Sequence, residues 1–169
     1  MAGANKPISL RVTRQAVIHV ARTSIAAVAS LLIARLFRLP EAYWAAITTL
    51  VVMQSSLGAA LTISWQRFVG SAIGAVAGAL FATYFGSNIA MFAVGIFVMG
   101  ILCAALRLDK AAYRFAGITL AIIMLVAHSA SAWMVAVHRF IEVAVGIAVG
   151  LALTAVWPED PAAFDPPAG

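Results

Sequence analysis

Six apolar stretches, separated by a few polar residues each, fix the solvent this chain must fold in. They run from His19 to Phe37, Tyr43 to Leu61, Phe68 to Phe85, Ile89 to Leu106, Phe115 to Ser131 and Val137 to Trp157. At roughly 18 to 20 residues, a helix covers the hydrocarbon core of a bilayer. It also satisfies its own backbone donors and acceptors there. A composition of 64% apolar and 10% charged residues, with a mean hydropathy of +1.03, lies outside soluble usage. The expected fold class is all-α, an integral membrane six-helix bundle. Residues 1–18 read as a basic amphipathic segment, residues 19–157 as the six-helix transmembrane domain, and residues 158–169 as a disordered acidic, proline-rich tail.

Helix punctuation supports these divisions. Pro40-Glu41 opens the second helix, Gly86-Ser87-Asn88 separates the third from the fourth, Asp109 is placed to cap the fifth, and Pro158 stops the sixth. The first stretch follows Lys6, Arg11 and Arg14 but has no convincing cleavage site, so it is expected to stay in the mature chain. In a six-span reading, Lys6, Arg11, Arg14, Arg22, Arg67, Arg107, Lys110 and Arg114 fall on one side, against Arg35, Arg38 and Arg139 on the other. The positive-inside rule then places both termini in the cytoplasm. The pI near 10.2 does not indicate nucleic acid, because the charges edge the spans and suit topology and anionic lipid. Cys103 is single, so one chain forms neither a disulfide nor a thiolate metal site, and a packing role is expected.

The chain repeats itself. RFVGSAIGAVAG from Arg67 recurs as RFIEVAVGIAVG from Arg139, 72 residues later. Ala42-Tyr43 matches Ala112-Tyr113 at an offset of 70, and Ile47-Thr48 and Met53 match Ile118-Thr119 and Met124 at 71. Each half, about 19–86 and 87–157, then holds three spans. An odd number of spans turns the second copy upside down, giving the inverted-topology repeat with which many secondary transporters build a midplane site.

Within the spans, Gly70, Gly74 and Gly78, and later Gly146 and Gly150, form faces that let helix backbones approach closely, between helices three and six or at a dimer seam. They are no phosphate loop, since no G-x-x-x-x-G-K-[ST] is present. Glu142 is the one acid inside an apolar stretch and shares a helix face with His138 and Arg139. Either Arg139 and Glu142 pair to orient the sixth helix, or Arg139 contacts an anion while Glu142 or His138 carries a coupling proton. Arg67 is the equivalent arginine at the opposite membrane face, with Gly70 in place of Glu142. The two arginines guard the mouths of an anion path or snorkel to headgroups. Arg22 continues a polar stripe from Arg11, Gln15 and His19 that draws anions or binds lipid. Trp44, Trp65, Trp133 and Trp157 suit an interfacial belt, while Tyr43, Trp44 and Trp133 are candidates for stacking an aromatic substrate. Gln54, Ser55 and Ser56 interrupt the second helix where His128, Ser129 and Ser131 interrupt the fifth, marking a transport site or interhelical hydrogen bonds.

The run YWAAITTLVVMQSSLGAALTISWQRFVGSAIGAVAGAL from Tyr43 contains R-x-x-G-[TS]-x-x-G, filled by Arg67, Gly70, Ser71 and Gly74. With GITLAIIMLV from Gly117 and HRFIEVAVGIAVGLALTAVWP from His138, it resembles the fusaric acid resistance and aromatic acid exporter family, distantly similar to the dimeric aluminium-activated malate transporters. The resemblance implies a bacterial inner-membrane (plasma membrane) module that exports aromatic carboxylates, with the lipid bilayer and a small organic anion as partners. It also implies a homodimer or higher oligomer, or another subunit such as a periplasmic adaptor. A monoanion leaving a negative interior gains about 2.3 kcal/mol per 100 mV, so no ATPase is needed. The alternative is a non-transporting subunit that docks a partner through its glycine faces. An enzyme is disfavoured, because neither H-E-x-x-H nor G-x-S-x-G occurs. No catalytic, metal or cofactor set is expected.

Overall fold

The computed structural model describes residues 14–54, 56–126 and 130–157, and their regular elements are all α-helices. These are α1 (Arg14–Leu36), α2 (Tyr43–Val52), α3 (Leu57–Tyr84), α4 (Ile89–Ala105), α5 (Lys110–Leu125) and α6 (Ala132–Val156). Lys6, Arg11, Ser55, His128, Ser129 and the tail from Pro158 lie outside the described residues, as do the side chains of Arg14 and Gln15.

Six equal spans are not what the chain forms. Three helices are long and apolar enough to cross a membrane, namely α1 over Val17–Leu36, α3 and α6. At 10 residues, α2 reaches only about 15 Å, half of a hydrocarbon core. The reason is local. Met53 turns extended (ψ 113°), and the Ser56 hydroxyl accepts a 3.3 Å bond from the Ala59 amide, so the polar interruption ends one helix and caps the next. The second half repeats the device. Val126 is extended (ψ 126°) and Ser131 accepts from the Met134 amide at 3.4 Å. Between the halves, Gly86 takes φ +80°, a left-handed turn open to glycine, and Asn88 caps α4 through the Met91 amide at 2.9 Å.

The long helices α3 and α6 run antiparallel. The Phe68 and Phe140 rings lie 5.0 Å apart, and Ala75 and Ala79 meet Val135 and Ala136 further along. Alongside the C-terminal half of α6 lies α2, backed by α1; alongside the C-terminal half of α3 lies α5, backed by α4. The glycines make these seams. A Cβ on Gly74 would meet the Ala116 carbonyl oxygen, and one on Gly146 the Ala45 carbonyl oxygen. Gly70 sits on the Ala112 carbonyl, while Gly78 and Gly150 leave 3.1 Å to Ile123 and Val52 respectively. They therefore seat α5 on α3 and α2 on α6, where the sequence pattern had pointed to α3 on α6. Cys103 is buried in the α4–α5 seam with Met99, Ala116 and Leu120. The outward side chains of α1 and α3, among them Val28, Leu32, Leu61, Trp65 and Val76, are apolar, which suits lipid as solvent.

Both helical hairpins turn in the same way. Arg38 (φ 55°) and Arg107 (φ 52°) are left-handed. Bonds from Arg38 N to Arg35 O and Leu39 N to Ala34 O, matched by Arg107 N to Ala104 O and Leu108 N to Cys103 O, close a Schellman motif after α1 and after α4.

Candidate functional site

An ionised group leaves water only if something replaces its hydration. Among the described residues, Arg22, Arg67, Arg139 and Glu142 are fully or almost fully buried. Arg22 replaces hydration with backbone. Its guanidinium donates to the carbonyl of Trp157 at 2.6 Å and of Gln54 at 2.8 Å, the C-terminal ends of α6 and α2. Cations suit that pole of a helix, where the last carbonyls lack helical partners. The same bonds bring the N-terminal part of α1 and the end of α6 to one end of the bundle.

Arg67 and Arg139 meet near the middle of α3 and α6. Arg67 donates from Nε and Nη2 to the Thr48 hydroxyl (3.2 and 3.0 Å), and its guanidinium lies 4.8 Å from the Phe115 ring centre. Arg139 lies 3.5 Å over the ring of Trp44, one turn of α2 from Thr48. The two charges are close enough to act on each other. The arginines thus converge on one level, and do not stand at opposite mouths as expected from their place in the repeat. The antiparallel crossing at Phe68 and Phe140 is the cause.

The partners are unequal. Glu142 is 3.9 Å from Arg139 Nη1, an ion pair too long for a hydrogen bond, and its other oxygen accepts the Glu41 amide at 3.0 Å, just ahead of α2. Glu142 therefore serves the start of α2 as much as it serves Arg139. Buried Arg139 Nε and Nη1 donate to no protein acceptor. The arrangement offers a cationic, aromatic-walled locus with spare donors, chemistry that fits a carboxylate.

The remaining candidates are spread out. Trp44 stacks on Arg139 and donates from its indole to Glu41 at 3.0 Å; its neighbour Tyr43 is half exposed, with ring centres 5.5 Å apart. Trp133 is on the outer surface, in a groove with Ala72, Val76, Val137 and Phe140. Gln54 lies at the far end of α2, bonding Val51 O at 3.2 Å, away from the arginines. His138 is partly buried beside Arg139 in sequence. Asp109 stands at the N-cap of α5 without capping it; its carboxylate accepts a 2.8 Å bond from Gln66 instead. Thr48 and Phe115 were not singled out as site residues. The signal existed, since Phe115 stands 71 residues after Trp44, at the offset that relates Thr48 to Thr119.

Comparison with known proteins bears out the family resemblance. The fusaric acid resistance protein-like family matches residues 26–153. Inner membrane protein YeeA of Escherichia coli (strain K12) is 28% identical over 158 residues, covering 90% of this chain and 44% of that protein. The chain therefore spans less than half the length of this curated relative. No solved structure matches.

Proposed function

Because the chain belongs to the fusaric acid resistance protein-like family, whose members point to membrane transport or efflux, we propose that it carries small carboxylate anions, aromatic ones among them, out across the inner membrane. One observation carries the choice of an anion: Arg139 is buried with two donor atoms unused, at the same level as buried Arg67. A cation in that state gains from any carboxylate that reaches it. Trp44 and Phe115, already stacked on the two guanidinium groups, supply walls for an aromatic ring.

Two inverted three-helix units are part of the proposal. Its support is a set of contacts that recur at offsets of 71 and 72: Arg67 on Phe115 and Arg139 on Trp44, Gly74 on Ala116 and Gly146 on Ala45, Gly78 on Ile123 and Gly150 on Val52. The cytoplasm is proposed for the end of the bundle that holds the start of α1 and the end of α6, on the charge count above. The membrane potential is the proposed driving force, with Glu142 the carboxylate that yields Arg139 to the substrate. A docking subunit loses its surface, because the glycine faces are filled within the chain.

The test is flux. Liposomes holding the protein, loaded with benzoate under an imposed potential, are expected to release it at least about tenfold faster than empty liposomes, with Arg139→Gln and Arg67→Gln removing most of the gain. Equal release from empty and protein-bearing liposomes rejects transport of this class. Unchanged release in both variants rejects the two arginines as the site.

A further inference from the structure

The tips of the two hairpins dock where lipid-facing charge is least tolerable. Ahead of α2, Glu41 bonds Glu142, the eleventh residue of the 25 in α6. Ahead of α5, Asp109 bonds Gln66, the tenth of the 28 in α3. Both α3 and α6 are long and apolar enough to cross a membrane, so each tip lies beside the middle of a spanning helix and not beyond its end. The tips are basic. Arg35 and Arg38 flank the first, and Arg107, Lys110 and Arg114 the second, all exposed. The carboxylates at the tips, Glu41 and Asp109, already accept bonds from Trp44 and Gln66.

Five exposed cations beside the middle of spanning helices cannot face acyl chains, where ionised groups are disfavoured. Long side chains reach an interface only from near the ends of a span. Moreover, Arg38 and Arg107 hold the left-handed positions that close the two Schellman motifs, where glycine is the usual residue. A long cation stands there in both hairpins despite the steric cost of that backbone. Water therefore has to reach the tips.

We propose that the two tips line a water-filled, positive vestibule that gathers small anions, carboxylates and inorganic anions alike, beside the Arg67–Arg139 pair. A concave site of one sign with low-dielectric walls focuses field and raises the local concentration of counter-ions. This rests on the reading of α3 and α6 as spans around an anion site, and it adds Arg35, Arg38, Arg107, Lys110 and Arg114 to that site as collectors that precede binding.

Single cysteines at Leu36 and Leu106, exposed tip positions that leave every arginine in place, test it in proteoliposomes of the otherwise Cys103→Ala protein. Both thiols are expected to react with water-borne methanethiosulfonates. The sulfonate reagent should be preferred over the trimethylammonium one by about tenfold or more relative to a free thiol. Arg38→Gln and Arg107→Gln in the same background should reduce that preference. A fluorophore on either cysteine should be quenched better by mid-chain than by headgroup nitroxide lipid, whereas a cysteine at outward Val28 should not react. Unreactive tips, preference for the cationic reagent, or stronger headgroup quenching overturns the vestibule. Neither readout uses flux. Reactive, anion-selecting tips in a protein that releases no benzoate would leave the vestibule standing and remove transport; benzoate release with silent tips would do the reverse.

Discussion

The seam of α2 on α6 and the seam of α5 on α3 are built to one plan and charged to different ones. Each presents a glycine to a carbonyl (Gly146 to Ala45, Gly74 to Ala116) and an arginine to an aromatic ring. Only the first contains a carboxylate, Glu142, where the second has Gly70. Backbone packing is thus held fixed by small residues, while the electrostatics of the two seams are free to diverge. One arginine keeps an ion partner, and the other leans on a hydroxyl.

Removing that partner should have the largest effect. Glu142→Leu strips the start of α2 and leaves Arg139 buried without its counter-charge, and the expected loss is about 3–5 kcal/mol. Thermal unfolding in detergent measures it, and adding Arg139→Leu should recover part of the loss. If Glu142→Leu is silent, the seams do not differ in charge. Next come the shared glycines. Gly146→Val and Gly74→Val should each cost about 1–3 kcal/mol by forcing backbones apart, whereas Gly58→Val, with open space around it, should leave the unfolding temperature nearly unchanged. Unequal losses at 146 and 74 would break the common plan. The smallest contrast is between threonines 71 residues apart. Thr48→Val removes the acceptor of two Arg67 bonds and should cost about 1–3 kcal/mol, while Thr119→Val, which gives up only a bond to its own helix at Phe115 O, should cost well under 1 kcal/mol. Benzoate release should follow the same order, since Thr48 orients Arg67.

Much of this frame was legible before any coordinates. Arg67, Arg139 and the glycine runs behind them identify the repeat, and periodic small residues say that backbones touch. They do not say which backbones: a glycine stripe is silent about its partner, so the α5–α3 and α2–α6 seams had to be observed. Hydropathy also merged the ten residues of α2 with the start of α3, because Met53 is as apolar in a break as in a helix and only Ser56 hints at a cap. Asp109 was read from local capping preference, and Gln66, 43 residues away in sequence, claimed it instead. Arg22 looked like a solvent-facing stripe because a sequence does not reveal which helix ends will gather around it. The paired turns were readable but overlooked, since Phe37-Arg38-Leu39 and Leu106-Arg107-Leu108 repeat at an offset of 69.

The Arg22 bonds carry a consequence for biogenesis. Their donor lies in the first helix to leave the ribosome, and one acceptor, the Trp157 carbonyl, lies 135 residues later, in the last. Until α6 is inserted, the guanidinium must be sheltered by water, headgroups or an insertase, so the whole bundle locks shut in a single late event. A nascent chain stalled before Trp157 would be held as an open, quality-control-sensitive intermediate.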